Sequence, residues 1–234
     1  MNSYSKEGYI HIQNIVDTQT IDNILNELYE KCPENKGHGR LPDAWKNYDC
    51  IGYLAFNKTI LNILKELYER NPIPFQTLNF YKGTEQKIHS DQIHFCSIPE
   101  NLMCGVWIAL EDISPDSGPL IYYPGSHHLP FYTMQTLNLE AGDYSGYETK
   151  IQEMVNSSNM RSEHALIKKG DIFIWQANLL HGGSKINDLE LTRKSMVIHY
   201  LFEDCKYWTP LYSTPTNIVY RNPDNFISKR FAWV

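Results

Sequence analysis

The sequence predicts a mainly β fold, a jelly roll flanked by N-terminal α-helices. After residue 74, short segments rich in β-branched and aromatic residues alternate with turn-forming stretches such as SPDSGPL and YYPGSHH. Many short strands separated by Gly- and Pro-containing turns are typical of a β-sandwich or barrel. Before residue 74, apolar residues recur instead at the three- and four-residue spacing of amphipathic helices. The two patterns together predict one β-structure with helices packed beside it.

A chain of 234 residues is long enough to bury a sizeable core, and we interpret it as a single domain, residues 1–234. Residues 1–73 supply an N-terminal strand and helices, residues 74–204 the jelly-roll core, and residues 205–234 a C-terminal tail. Residues from about 131 to 162 have helical character but few strong core signals. We expect this segment to form an insertion or lid.

One strand and two helices are predicted before the jelly roll. The strand covers residues 8–12, and the first helix runs from about residue 18, where Asp17 or Thr18 caps it, to residue 32. The second helix covers about residues 58–70 and stops before an Asn-Pro pair. The polar loop between the helices, CPENKGHGRLPDAWKNYD, is too long for a simple turn. We expect it to shape an entrance to the core.

Strand character returns in the segments FQTLNFY, HSDQIHF, LMCGVWIAL, EHALIKKGDIFIWQ and RKSMVIHYLF. The turn-forming stretches KGTEQ and SIPEN separate the first three of these segments from one another. The first three segments precede the lid segment and the last two follow it, so we expect strands from before and after the lid to form the core together.

The charge and cysteine content exclude several classes of partner. The chain has 21 basic and 27 acidic residues, a net charge of −6, and no Lys/Arg stripe suited to phosphates, so we expect no nucleic-acid partner. Its first residues lack a secretion-signal pattern and no apolar run approaches membrane length, so we expect no membrane partner. Five scattered cysteines without CxxC spacing favour free thiols in a reducing compartment. These features predict a cytoplasmic protein.

The segment KIHSDQIHF contains the first candidate for a metal site. His89 and Asp91 are two residues apart, and on a strand such a pair points to the same face. An imidazole and a carboxylate that reach one point supply two adjacent coordination positions. The pair alone is weak support for a metal, because a short polar pair on a strand edge is ordinary.

A metal site needs a third ligand, and the remaining candidates are His94, His127, His128, His164, His181 and His199. His127 and His128 follow a tight turn in PGSHH, where a histidine more often ties its own loop together. His181 follows an apolar strand and precedes two glycines, whose small size allows a ligand to approach the backbone closely.

Arg193 stands 12 residues after His181 and decides between the candidates. It opens RKSMVIHYLF, on the same strand face as Ser195 and His199. An arginine that points into an apolar barrel is costly without an anionic partner, and a dicarboxylate bound through its other end to a metal would supply one. Two histidines and one carboxylate with open positions form the facial triad of non-haem Fe(II) oxygenases. The alternative is a surface or salt-bridged arginine on an edge strand.

Four segments carry a resemblance to known proteins: HSDQIHF, WIALEDISPDSGPLIYYPGSHH, KKGDIFIWQANLLHGGS and TRKSMVIHY. In their order and spacing they resemble the motifs of the phytanoyl-CoA dioxygenase family. The members of this family are iron(II)- and 2-oxoglutarate-dependent oxygenases. The resemblance covers about residues 75–202. It implies a double-stranded β-helix, the cupin-like form of the jelly roll. It also implies that His89, Asp91 and His181 hold Fe(II), that Arg193 holds 2-oxoglutarate, and that O2 is the oxidant.

The resemblance further implies that Trp107 and Leu78 line the cosubstrate. Relatives carry a serine two residues after the distal histidine, whereas this chain has Gly183. One hydrogen bond to the cosubstrate would then come from Ser184, Ser195 or a water.

Four polar residues near these motifs are further candidates for the site. Gln76 and Asn79 are candidates to orient cosubstrate or substrate. His94 is a candidate for substrate contact or for a core position, and a structural role is favoured for His199.

The sequence therefore predicts a 2-oxoglutarate-dependent dioxygenase that hydroxylates a small molecule. Scattered lysines such as Lys168 and Lys169 do not form the basic mouth that the phosphates of CoA require, so a polar or sugar-like metabolite is preferred over an acyl-CoA. The alternative is a non-catalytic, metal-binding jelly-roll protein that binds a sugar or another ligand. The presence of Arg193 together with the whole triad argues against that alternative.

Overall fold

A computed structural model of the protein describes residues 2–37 and 39–221. Its N-terminal third is mostly helical and contains one longer strand, β1 (Tyr9–Ile12). The α-helices of the described chain are α1 (Asn2–Glu7), α2 (Thr18–Leu25), α3 (Asp49–Ala55), α4 (Lys58–Tyr68) and α5 (Tyr144–Ser157). A π-helical turn (Asn26–Glu30) continues α2, so the two together match the predicted first helix.

Side-chain caps fix the starts of the two predicted helices. The Asp17 carboxylate accepts a hydrogen bond from the backbone N–H of Thr20 at the start of α2. The Asn57 side chain accepts hydrogen bonds from two backbone N–H groups at the start of α4. Glu69, which directly follows α4, adopts the left-handed conformation that is common at the C-terminal end of helices. Helices α1 and α3 were not predicted from the sequence.

The strands of the core form three antiparallel sheets. They are β2 (Leu41–Pro42), β3 (Pro72–Phe80), β4 (Cys96–Ile98), β5 (Met103–Ala109), β6 (Leu120–Tyr122), β7 (Glu163–His164), β8 (Ile172–Gln176), β9 (His181–Gly183), β10 (Ser195–Phe202), β11 (Lys206–Trp208) and β12 (Tyr220–Arg221). The large sheet has the order β1-β8-β5-β10-β3-β2, and the small sheets have the orders β7-β6-β9 and β12-β11-β4. This architecture confirms the predicted mainly β, jelly-roll class with flanking N-terminal helices.

Both faces of the large sheet are buried, which explains the nearly continuous apolar runs in its strands. Along β5, Val106 and Ile108 pack with residues of α2 and α4 in one apolar cluster. Trp107 and Ala109 pack on the other face, in a second cluster with Leu120 of β6. Strand alternation therefore divides each central strand between a helix-facing side and an interior side.

The segment HSDQIHF is not a strand, so the sequence-based prediction is wrong there. His89 forms only an isolated bridge with His181, and a 3-10 turn covers Asp91–Ile93. The physical reason lies in Ser90, whose hydroxyl accepts a hydrogen bond from the backbone N–H of Gln92 and donates to the carbonyl of Ala177. Such side-chain hydrogen bonds compete with strand pairing. Strand alternation therefore does not explain how His89 and Asp91 converge.

The segment from about residue 131 to 162 contains helix α5, which has a clear buried face. Tyr147, Ile151 and Val155 recur every four residues and are buried. They pack in an apolar cluster with Ile88 and Leu180, which neighbour the candidate ligands in sequence. The expectation of few core signals was wrong for these three residues. The role of the segment as a lid stays a prediction.

The predicted C-terminal tail begins with β11 and β12, and its residues 222–234 lie outside the described part of the chain. Within residues 2–37 and 39–221, no helix has both the length and the apolar character needed to cross a bilayer.

Candidate active site

His89 and His181 lie side by side in the interior. Their backbones exchange two hydrogen bonds of 2.9 and 3.0 Å, and their ring centroids are 4.4 Å apart. Each ring places Nδ1 2.9 Å from a backbone carbonyl two residues earlier, that of Lys87 or Leu179. Because a carbonyl can only accept, each Nδ1 carries the proton and each Nε2 keeps its lone pair for a metal. In this structure the Gln86 amide nitrogen lies 3.2 Å from Nε2 of His89.

The two oxygens of Asp91 have different surroundings. Oδ1 lies 3.7 Å from Nε2 of His89 and 3.8 Å from Nε2 of His181. Oδ2 accepts a hydrogen bond of 2.8 Å from the indole Nε1 of Trp175 and lies 3.5 Å from Nε2 of His199. The indole therefore fixes the carboxylate so that a single oxygen faces the two histidines.

Burial and neighbouring charge set the protonation states that metal ligands need. Burial lowers the pKa of His89 to about 3, and the adjacent His181 acts in the same direction. Burial alone would raise the pKa of Asp91, but the His181 and His199 rings outweigh it and hold that pKa well below its usual range. At neutral pH the site thus presents a neutral His89 and an ionised Asp91.

Together these residues fit a divalent metal of the iron type. One ligand atom each from His89, Asp91 and His181 lies within 4.8 Å of the others, and all three residues are buried. Two imidazole nitrogens and one carboxylate oxygen on one side of a cavity are the donor set of a facial triad, which leaves the remaining positions open.

Arg193 is buried and has no negative partner among the described residues. It is 4% exposed, and its guanidinium carbon lies 5.2 Å from the ring centroid of Phe80 and 5.7 Å from that of Trp107. Its Nε has no hydrogen-bond partner, and no carboxylate of the described residues forms an ion pair with it. Burial lowers the pKa of Arg193 to about 10, so the group stays charged at neutral pH. The alternative of a surface or salt-bridged arginine is therefore wrong.

One cavity of about 450 Å³ brings the predicted residues together. His89, Asp91, His181 and Arg193 all line it. Three residues predicted to contact the cosubstrate also line this cavity, namely Gln76, Leu78 and Trp107.

Two of the predicted cosubstrate residues do not line the cavity. Asn79 is 1% exposed and lies between Leu78 and Phe80, which both line the cavity, so strand alternation turns Asn79 to the helix-facing side. Ser195 is fully buried, and its hydroxyl donates to the carbonyl of Arg193. These two predictions are corrected on that ground.

Trp175 and Gly105 are site residues that the sequence did not reveal. They are paired across β5 and β8, and a Cβ placed on Gly105 would come within 2.4 Å of the indole ring. The missing side chain therefore makes the room that lets Trp175 reach Asp91. A glycine inside a fully buried strand was the one signal, since it often marks a close approach.

Three further lining residues had not been assigned to the site. His199 lines the cavity, and its Nδ1 lies 2.9 Å from Oε1 of Gln76, so it donates there and faces Asp91 with Nε2. Arg40 and Arg221 also line the cavity, although they come from the loop before β2 and from β12. No local sequence pattern marks these two arginines.

Gly183 stands where a serine cannot fit. A Cβ there would lie 2.9 Å from the backbone nitrogens of both Glu85 and Gln86. The chain before His89 thus occupies the space of the missing side chain, and it brings Thr84 to the cavity wall. Ser184, one of the proposed substitutes, donates its hydroxyl to the carbonyl of Pro119 instead.

Comparison with known proteins supports the same reading of the fold. The family model described as "Phytanoyl-CoA dioxygenase (PhyH)" matches residues 49–188, which include His89, Asp91 and His181. The chain belongs to the phytanoyl-CoA dioxygenase family. Arg193 lies five residues beyond the end of this match.

Curated members of the family are similar to part of the chain. Phytanoyl-CoA dioxygenase, peroxisomal, of Rattus norvegicus is 28% identical over 156 residues, 64% of this chain and 43% of that protein. A probable phytanoyl-CoA dioxygenase of Caenorhabditis elegans is 31% identical over 121 residues, 51% of this chain and 38% of that protein. The matches therefore span less than half the length of these curated relatives.

Solved structures share the fold at low sequence identity. The epimerase SnoN, crystallised with Fe3+, alpha ketoglutarate and nogalamycin RO, has a TM-score of 0.71 at 20% identity and covers 96% of this chain and 95% of its own. EctD from S. alaskensis, crystallised with Fe, has a TM-score of 0.70 at 14% identity, over 91% of this chain and 79% of its own. These likenesses agree with the double-stranded β-helix expected from the sequence motifs.

Proposed function

We propose that the protein is an Fe(II)- and 2-oxoglutarate-dependent dioxygenase that hydroxylates a small molecule. The observation that carries the proposal is the buried charge of Arg193 in the same cavity as His89, Asp91 and His181. A metal alone gives no reason for a second buried cation. A dicarboxylate that spans from the metal to Arg193 accounts for both, because it supplies the anion that the guanidinium lacks.

Four side chains would hold and orient the metal. Nε2 of His89, Nε2 of His181 and Oδ1 of Asp91 would coordinate it, while Trp175 keeps Oδ2 of Asp91 engaged. The carboxylate would then bind through one oxygen and leave positions for cosubstrate and O2. Bound Fe(II), with 2-oxoglutarate and O2, supplies the oxidising chemistry that yields succinate, CO2 and a hydroxylated product.

The apolar and cationic wall around Arg193 suits the far carboxylate of 2-oxoglutarate. Phe80 and Trp107 flank the guanidinium, and Leu78 lines the same cavity. Thr84 is the hydroxyl-bearing residue that the chain brings to the wall beside Gly183. We assign to Thr84 the cosubstrate hydrogen bond that relatives are expected to obtain from the serine.

The substrate is proposed to be a polar small molecule, sugar-like rather than an acyl-CoA. A cavity of about 450 Å³ has the volume of a small-molecule site and must also hold the cosubstrate. SnoN was crystallised with nogalamycin RO and EctD with 5-hydroxyectoine, which supports a small-molecule substrate. A cytoplasmic location is proposed from five cysteines that are all unpaired.

Binding of 2-oxoglutarate and formation of succinate test the proposal. Protein loaded with Mn(II) should bind 2-oxoglutarate in calorimetry, and Fe(II)-loaded protein in air should convert it to succinate. The Arg193→Gln variant should retain the metal and lose 2-oxoglutarate binding, whereas His181→Ala should lose the metal. Tight metal binding by the wild type without 2-oxoglutarate binding would instead favour the non-catalytic jelly-roll alternative.

A further inference from the structure

The cavity carries more positive charge than its metal and cosubstrate account for. Among the described residues that line it, Arg40, Arg193 and Arg221 are permanent cations and Asp91 is the one carboxylate. Within the proposed function, the two negative charges of 2-oxoglutarate and the one of Asp91 together balance Fe(II) and Arg193. Arg40 and Arg221 are then left without a counter-charge, in a chain whose net charge is −6.

Arg221 and Arg193 contact different aromatic rings of the cavity wall. Arg193 lies two residues before β10, and its guanidinium carbon lies near the rings of Phe80 and Trp107. The Phe95 ring lies 5.9 Å from the His199 ring, and the guanidinium carbon of Arg221 lies 4.6 Å from the centroid of Phe95. Arg221 therefore lies on the His199 side of the cavity, whereas Arg193 lies beside Phe80 and Trp107.

The backbone of Arg221 is held by strand pairing, and its charge has no partner among residues 2–37 and 39–221. Its backbone is held in β12, where it pairs with Tyr207 of β11, and its guanidinium stacks on Phe95. Its Nε is buried and has no hydrogen-bond partner, and no ion pair joins it to a carboxylate within the described chain. A partly buried guanidinium with an unused, buried Nε–H can bind an oxyanion.

Arg40 and His94 line the same cavity as Arg221. Arg40 is exposed and directly precedes β2, whose Pro42 lines the cavity opposite Leu78 of β3. Burial lowers the pKa of His94 to about 4. The negative charge of Asp91 acts to raise this pKa, whereas the positive charges of Arg221 and Arg40 act to lower it.

We propose that Arg221 and Arg40 form a second anion site, which binds a carboxylate or phosphate group of the substrate. The inference rests on the proposed function and adds the chemical class of its substrate: a small molecule with an oxyanion at one end and the reacting carbon toward the metal. Sequence reading could not separate this class from neutral sugars, because the two arginines are 181 residues apart.

Anion titration of the Mn(II)-loaded protein with saturating 2-oxoglutarate tests the site. Inorganic phosphate and acetate are titrated separately, and sodium chloride of equal ionic strength is the control. Screening of charges by salt would have the same effect in all three titrations, whereas binding to the site would not. The wild type should bind at least one of the two probes while 2-oxoglutarate stays bound. Arg221→Gln should weaken that binding at least about tenfold, and Arg40→Gln should weaken it less, since Arg40 is exposed. Lys168→Gln, at an exposed lysine paired with Asp112, is the matched control and should bind as the wild type.

The succinate assay then separates the two sources of the anion. Pools of phosphate esters, of carboxylates and of neutral sugars are tested for stimulation of succinate formation, and one of the first two should stimulate. Equal phosphate and acetate binding by wild type and Arg221→Gln, competition of both probes with 2-oxoglutarate, or stimulation by neutral sugars alone would overturn the inference. Failure of the wild type to bind 2-oxoglutarate would refute the proposed function instead, while the anion site is still judged by the titration.

Discussion

Replacement of Trp175 by Phe is expected to weaken metal binding although Trp175 is not a ligand. The indole Nε1–H donates a 2.8 Å hydrogen bond to Oδ2 of Asp91, and both residues are buried. Phe keeps an aromatic ring and removes the donor. The freed carboxylate can then rotate, so Oδ1 no longer faces Nε2 of His89 and His181 in one fixed orientation.

The size of the effect follows from the kind of hydrogen bond that is lost. A hydrogen bond to a charged group contributes about 1.5–3 kcal/mol, which corresponds to roughly 10- to 100-fold in an equilibrium constant. We therefore expect the dissociation constant for Mn(II), measured by calorimetry without 2-oxoglutarate, to rise by about that factor. Loss of the second indole ring also leaves a gap beside Gly105 and should cost about 1–3 kcal/mol of unfolding free energy.

A matched variant separates the metal effect from general destabilisation. Tyr200 also donates a buried hydrogen bond of 2.8 Å, to the carbonyl of Ala55, but on the helix-facing side of β10. Tyr200→Phe should lower the unfolding free energy and leave Mn(II) affinity unchanged. If Trp175→Phe bound Mn(II) as tightly as the wild type does, the indole would not orient the ligand and the reasoning would be refuted.

Three further predictions concern the cosubstrate end and the pH response. Arg193→Lys should raise the dissociation constant for 2-oxoglutarate by at least about tenfold with Mn(II) affinity retained, because a point charge cannot replace a bidentate fork; an unchanged value would place the anchor elsewhere. Thr84→Val should raise the same constant about three- to tenfold, whereas Ser184→Ala should not, since that hydroxyl bonds Pro119. The folded-state pKa of His94, about 4, lies below its unfolded value of 6.5, so the metal-free protein should lose up to about 3 kcal/mol of stability as pH falls from 6.5 to 4, in urea unfolding followed by circular dichroism. His94→Gln should show a shallower loss over that range, and identical slopes would contradict the assignment.

The sequence predicted those elements whose pattern is local. Strands β3, β5, β8 and β10 were predicted from their apolar, β-branched and aromatic composition, and the four-residue spacing in α2 and α4 reflects which face of each helix is buried. The identity of His89, Asp91, His181 and Arg193 was predictable because order and spacing along the chain carried it. Asn79 was misassigned for a local reason too: one step along β3 separates it from Leu78 and turns it to the other face.

The features that escaped prediction depend on contacts between distant parts of the chain. Trp175 and Asp91 are 84 residues apart, and the hydroxyl of Tyr147 accepts the backbone N–H of Ser90 across 57 residues. That second contact also explains the failed strand prediction. Ser90 is held from both sides, by Tyr147 of α5 and by Ala177, so its neighbours His89 and Asp91 converge through a turn that tertiary packing fixes. The same helix face that buries Tyr147 therefore supports the geometry of the triad. A lid that moved α5 as a whole would have to break this contact, so any closing motion should be confined to the residues before Tyr144.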